Sequence, residues 1–293
     1  MVIYMGNMIL NQPLYFEAEN RRIENGDEYL YHYTNPESFF EIIKSMKLRL
    51  SDFSKSDDLN EANLANVDRI DDPRVLKSLE RFIKNRCSYL SFIRDGNIDL
   101  NEDGTNHPRM WSQYAQRGEG VCIVINKNKF FEINNGDLND KFSKIENIDY
   151  VFDNGANIHL DMSFEKDESE NIIKKHYKEL FFKKHQDWKE ENEVRLFGID
   201  LPEYLSIYGA IEYICLGAKF IKNECSMNKL VKYLTDEKNE FYNYLIPHSF
   251  ADVSHSSYGY FCNGAFAASE ITNLLSRDVR YKEYLKKCLV DNC

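Results

Sequence analysis

The chain is poor in the residues that punctuate or staple a fold. It holds 6 Pro and 13 Gly among 293 residues, and no Pro-, Gly- or Ser-rich stretch separates two halves, so nothing marks an interdomain linker. Its seven Cys are scattered, with no C-x-x-C pair and an odd total, which argues against a disulfide framework and for reduced thiols in the cytoplasm. No block of one charge sign accumulates, so disorder is expected only at the ends. No apolar run approaches the length that crosses a bilayer, and the opening MVIYMGNMIL lacks the basic start of a secretory signal. Neither G-x-x-x-x-G-K-[ST] nor G-x-S-x-G occurs, so phosphate-loop and α/β-hydrolase readings have no support. Nothing repeats at a fixed period.

What is present suits a sizeable core: 43% hydrophobic residues, with 19 Tyr and 19 Phe. A net charge of -11 argues against a broad basic surface for nucleic acid, though not against a nucleic-acid substrate entering a local cleft. These features predict a soluble cytoplasmic protein without a membrane partner. We expect an arm over residues 1–27 and one α+β domain over 28–293, including a C-terminal helical tail.

EYLYHYT (28–34) reads as a strand. Thr34 and Glu37 offer a capping box, with Pro36 in the first turn of the helix PESFFEIIKSM. KLRLSDF then alternates like a half-buried strand, and DDPRVLKSLERFIKNR has the 3.6-residue period of an amphipathic helix. CSYLSFI and GVCIVIN are apolar strands, the second nearly continuous and therefore central in a sheet. DESENIIKKHYKELFFKKHQDW reads as the longest helix; NEVRLFGI, AIEYICLGAKF and NYLIPHSF supply further strands. Strands cluster without regular βα alternation, so α+β is the predicted class.

Three places invite chemistry. His32 sits mid-strand, either as a half-buried imidazole bonded to backbone or as a group that hydrogen-bonds a ligand sugar. Trp111 and Tyr114, three apart before Gly118 and Gly120, either plug the core or wall a planar ring. Glu191 and Glu193 alternate into the apolar strand EVRLF, and two like charges side by side are destabilising unless something uses or offsets them. Arg195, on the face of Glu193, could hold it ionised; such a carboxylate suits a transition state with positive charge on a sugar carbon. Metal-ligand spacing is poor for His176 with His185 and for His248 with His255. Cys87 and Cys122, in apolar strands, read as core thiols.

Three blocks carry a resemblance: YLYHYT with LRLSDFSKSDDLNEANL, MWSQYAQRGEGVCIVI, and WKEENEVRLF. Together they are similar to a widespread bacterial family known mainly as a domain of unknown function, over residues 28 to 220. The first block keeps Asn60 and Glu61 but lacks the proline usual between them. The chain also distantly resembles ADP-ribosyltransferases, including DarT-like toxins. That resemblance implies a split, mostly antiparallel β-core with flanking helices and an NAD cleft between its halves. It implies His32, with Tyr33 and Thr34, at the first-strand NAD position. Ser88, Tyr89 and Ser91 fall at the middle-strand position, and Glu193 in E-x-E with Glu191 at the late-strand acid. Tyr89 would stack on nicotinamide, Trp111 and Tyr114 would line the cofactor site, and Arg195 would bind a phosphate or steady the glutamates. NAD is then a substrate, the acceptor a protein or nucleic acid, and a toxin or phage-defence role follows by analogy alone. A non-catalytic nucleotide- or partner-binding module is the alternative; a third reading is a nuclease-type metal site built on Glu61, Glu191 and Glu193.

Overall fold

A computed structural model describes residues 28–53, 64, 73–96, 104–152, 168–235, 249–256 and 259–267. The expected arm, the helical tail and the Asn60–Glu61 element lie outside these residues. In chain order the described elements begin with β1 (Tyr29–Thr34), α1 (Pro36–Ser45), β2 (Lys47–Arg49), α2 (Pro73–Arg86) and β3 (Cys87–Ile93). They continue with α3 (Pro108–Gln113), β4 (Val121–Asn126), α4 (Lys127–Ile133), α5 (Asn135–Asn139), β5 (Ser143–Asn147) and β6 (Asp149–Val151). After these come α6 (Ser169–Phe181), β7 (Lys183–His185), β8 (Glu193–Ile199), β9 (Tyr204–Ser206) and β10 (Ile211–Leu216). The last are α7 (Ala218–Lys222), α8 (Glu224–Thr235), β11 (Ser249–Ser256) and β12 (Gly259–Ala267). The class is α+β, mostly antiparallel with flanking helices.

The chain divides into two compact units: Met1–Met46 with Asn97–Phe130 and Ile207–Cys293, and Lys47–Gly96 with Phe131–Ser206. In the first, strands run in the order β12-β11-β10-β4-β1, antiparallel except for β10 with β11. All six residues of β4 are buried, as its continuous apolar run predicts for an interior strand. Helix α1 buries Phe39, Phe40, Ile42 and Ile43; Phe39 meets Phe220 of α7 edge-on at 5.8 Å, and the Tyr233 hydroxyl of α8 donates to the Ile43 carbonyl at 2.6 Å. Its cap is Asn35, whose side chain accepts the Ser38 N–H at 2.8 Å. The expected Thr34 cap gives way because Thr34 still belongs to β1 and is buried there. Gly120 permits the turn into β4: a Cβ there would lie 2.0 Å from the Thr34 carbonyl oxygen.

In the second unit β8 runs between β3 and β5, antiparallel to both. Two small pairs flank this set, β2 with β9 antiparallel and β6 with β7 parallel. The core gathers Leu79 and Ile83 of α2, Ile172, Ile173 and Phe181 of α6, and Phe197 of β8; Phe181 and Phe197 stack at 4.3 Å. Val75, Leu76 and Phe82 pack on its margin, as the helical period of α2 predicts. KLRLSDF is a strand only to Arg49, then touches β3 through a single bridge from Ser51 to Tyr89. The long helix also ends early. It leaves helical geometry at His176 and stops at Phe181, and Lys183–His185 pairs with β6 instead; α2, at 14 residues against 13, is the longer. The segment from 259 to 267, given no element from sequence, forms β12.

Candidate functional site

Strand β8 is buried along its whole length. Period-two alternation puts Glu193, Arg195 and Phe197 on one face. The pairing with β3 sets Ile93 opposite Glu193, Ser91 opposite Arg195 and Tyr89 opposite Phe197, so Ser91 and Tyr89 share that face. The Ser91 hydroxyl donates to Glu193 Oε1 at 2.5 Å. Arg195 donates from Nε to the same oxygen at 2.8 Å, and its Nη2 stands 2.8 Å from it. Its Nη1 donates to the Phe181 carbonyl at the C-terminal end of α6, 2.6 Å away, where the helix dipole favours a cation. The guanidinium also lies over the Tyr89 ring, 4.8 Å from its centroid.

Glu191 reaches this face differently from the strand alternation expected. It closes a 3-10 turn, Gln186–Glu191, and Asn192 follows in the left-handed conformation at φ 47°, one that Asn tolerates better than most residues. The Asn192 amide donates to the Arg94 and Asp95 carbonyls at 3.1 and 3.2 Å, and its Oδ1 accepts from Arg94 Nε at 2.9 Å. The turn is thereby tied to the end of β3. The group that joins the two acids is Lys184 of β7, absent from the sequence reading. Its ammonium lies 2.7 Å from Glu193 Oε2 and 2.9 Å from Glu191 Oε2. Tyr150 of β6 accepts the Glu193 backbone N–H at 2.9 Å, and the Trp188 ring centroid lies 5.7 Å from the Lys184 ammonium.

The four charged side chains are at most 9% exposed, so partnering rather than solvent decides their state. Two carboxylates meet two cations, and the cluster is formally neutral. Burial pushes the Glu193 carboxyl upward, but Arg195, Lys184 and the Ser91 hydroxyl outweigh it and hold it at about 2. Burial pushes the Tyr150 phenol to about 12, with the Glu193 and Glu191 charges adding to the rise. Tyr150 is therefore neutral at any physiological pH. Chemically, the site offers a carboxylate held ionised at neutral pH, whose two oxygens have different company: Oε1 receives Ser91 and Arg195, Oε2 receives Lys184.

The residues proposed for a dinucleotide in the first unit group otherwise. His32 is half-buried on β1, opposite Ile123 of β4. Tyr33 and Trp111 meet edge to face at 5.0 Å. The Tyr33 hydroxyl donates to the Gly104 carbonyl at 2.6 Å and the Trp111 indole N–H to the Thr105 carbonyl at 2.8 Å. Trp111 is fully buried. Tyr114 ends α3, half-buried, and Thr34 is buried. Lys184 escaped the sequence reading because it falls inside DESENIIKKHYKELFFKKHQDW, read as one helix; taken as a strand, alternation turns Lys184 inward.

The nuclease-type reading meets a physical obstacle, since the Lys184 ammonium occupies the cation position beside both Glu191 and Glu193. Its third acid, Glu61, lies outside the described residues. Among the described residues no group of three or more His, Cys, Asp or Glu could hold a metal ion, and no helix is long and apolar enough to cross a membrane. Cys87 and Cys122 are both buried, and burial raises the Cys87 thiol to about 12, as befits a core position.

Comparison with known proteins bears on this region. No curated protein and no solved structure matches the chain. The model of a family described as a protein of unknown function (DUF2971) matches residues 110–196. That span contains Trp111, Lys184, Glu191, Glu193 and Arg195 and leaves His32, Tyr89 and Ser91 outside, so over less than half its length the chain is similar to an uncharacterised family.

Proposed function

We propose that the protein cleaves NAD, with Glu193 as the fixed carboxylate of an ADP-ribosyl transfer or glycohydrolysis. The observation that supports this most is the bond from Ser91 to Glu193, because it joins the middle-strand serine and the late-strand acid expected of ADP-ribosyltransferase-like chains. In such a reaction the bond between ribose C1′ and nicotinamide nitrogen breaks and its electron pair leaves with nicotinamide. Positive charge develops on C1′, and an acceptor hydroxyl, or water, attacks and loses a proton. A preorganised carboxylate favours that developing charge, and loss of one such group costs about 3 kcal/mol, on the order of a hundredfold in rate. Glu191 would orient or deprotonate the acceptor. At 2% exposure, Glu193 meets a ribose hydroxyl only where that hydroxyl takes the place of the Ser91 donor on Oε1.

The same burial favours a second reading, a non-catalytic binding module in which the cluster is scaffold. Incubation with NAD separates the two. Release of nicotinamide, abolished in Glu193→Gln while NAD still raises the melting temperature of that variant, supports the enzyme. Unchanged turnover in the variant removes Glu193 from the mechanism, and a wild-type thermal shift without product supports the module.

A further inference from the structure

We propose that Lys184 is the positioning residue of this site, the group through which Glu191 and Glu193 act as a pair. The inference rests on the NAD-cleaving reading for its catalytic meaning, but its physical content stands on geometry. The two carboxylates come from a 3-10 turn and from a strand, joined by one left-handed residue. The Lys184 ammonium spans both, at 2.7 and 2.9 Å. Charged hydrogen bonds of this length are the strong ones, and they fix direction as well as distance.

Division of labour on Glu193 follows. Arg195 and Ser91 hold Oε1, an arrangement internal to β8 and β3. Lys184 addresses Oε2 and also reaches Glu191 Oε2. Removing it leaves Glu193 held at Oε1 by Arg195 and Ser91 and at its N–H by Tyr150, while taking away the cation that stands between Oε2 and Glu191. Among the described residues, the groups facing Glu193 include Arg195 on its own strand, Lys184 on β7, Glu191 on the 3-10 turn, Tyr150 on β6 and Ser91 on β3. Lys184 links the pair.

Nicotinamide release by Lys184→Met and Lys184→Arg tests this against pH. For Lys184→Met we expect kcat to fall at least tenfold with KM little changed. The acid limb of the profile should move up, because a carboxylate that loses a neighbouring cation gains about 1 to 3 pH units. Lys184→Arg, which keeps the charge, should recover most of the wild-type limb. An acid limb unmoved in Lys184→Met overturns the proposal. The unmodified protein provides a second measurement should Lys184→Met not fold. Its Lys184 side-chain nitrogen, observed by 15N NMR, should give a charged, slowly exchanging ammonium at neutral pH that weakens when acid protonates the glutamates. A neutral or freely exchanging Lys184 nitrogen overturns the proposal whether or not NAD is cleaved. Absence of nicotinamide release with the ammonium signal present removes the NAD reading and leaves Lys184 as the link between the acids.

Discussion

Glu193 carries a definite pH signature. Its carboxyl sits at about 2 in the folded chain, against about 4.3 for an unperturbed Glu. A depressed acid stabilises the fold above its unfolded pKa, and that stabilisation is lost as pH falls through the folded value. The window therefore runs from about pH 4.3 down to about 2, and the ionised carboxylate contributes on the order of 3 kcal/mol at neutral pH. Urea unfolding between pH 5 and 2.5 should show a steep loss of stability in the wild type and a shallower one in Glu193→Gln. At pH 7 the same variant should already be weaker by about 3–5 kcal/mol, since it leaves two buried cations with one acid. Slopes identical in both proteins would mean that Glu193 is solvated. The surface pairs differ in kind: Arg86 joins Asp200 and Glu170 at roughly two-fifths exposure, where such bonds contribute little.

At the scale of elements, α6 links the hydrophobic core to the charged cluster. Its last residue, Phe181, stacks on Phe197 of β8 and also supplies the carbonyl that holds Arg195. A single helix end thus sets both how β8 packs and where its arginine points. Phe181→Ala should lower stability by about 3–5 kcal/mol, the usual cost of emptying a buried aromatic position, read from the urea midpoint at unchanged slope. The carbonyl survives that substitution, so Arg195 keeps its partner, and nicotinamide release should suffer less than in Glu193→Gln. Activity lost in step with Glu193→Gln would show that packing, and not the bond, orients the arginine. Elsewhere elements followed their patterns where burial and propensity agree, as in β4 and α2. They departed where a buried polar contact competed: the helix expected to run through residue 188 stops at Phe181, because an extended Lys183–His185 brings Lys184 to two carboxylates and lets β6 pair with its backbone.

For the molecule as a whole, charge is the governing quantity. A net charge of -11 repels polyanions at long range, and nucleic-acid affinity depends on phosphate neutralisation by Lys and Arg. Duplex DNA should show no mobility shift with this protein at about 50 mM salt. A shift that disappears as salt rises would instead reveal a local basic cleft and favour a nucleic-acid acceptor. The cluster around Glu193 adds nothing to that field, being two acids against two bases.

The sequence by itself determined class and pattern: α+β, the apolar interior strand β4, the inward face of α2, and the one-faced spacing of Glu193 with Arg195. These are local periodicities, and a period of 2 or 3.6 survives whatever the chain packs against. Tertiary structure alone decided that Ser91 meets Glu193 across paired strands, that Trp111 is enclosed, and that Lys184 stands between the two acids. Such contacts depend on strand register and on a break in a helix, set by partners distant in the chain. The carboxylates at 191 and 193 lie together because a lysine seven residues before the first of them, on an element with no clear periodic signal, supplies the charge that makes their proximity stable.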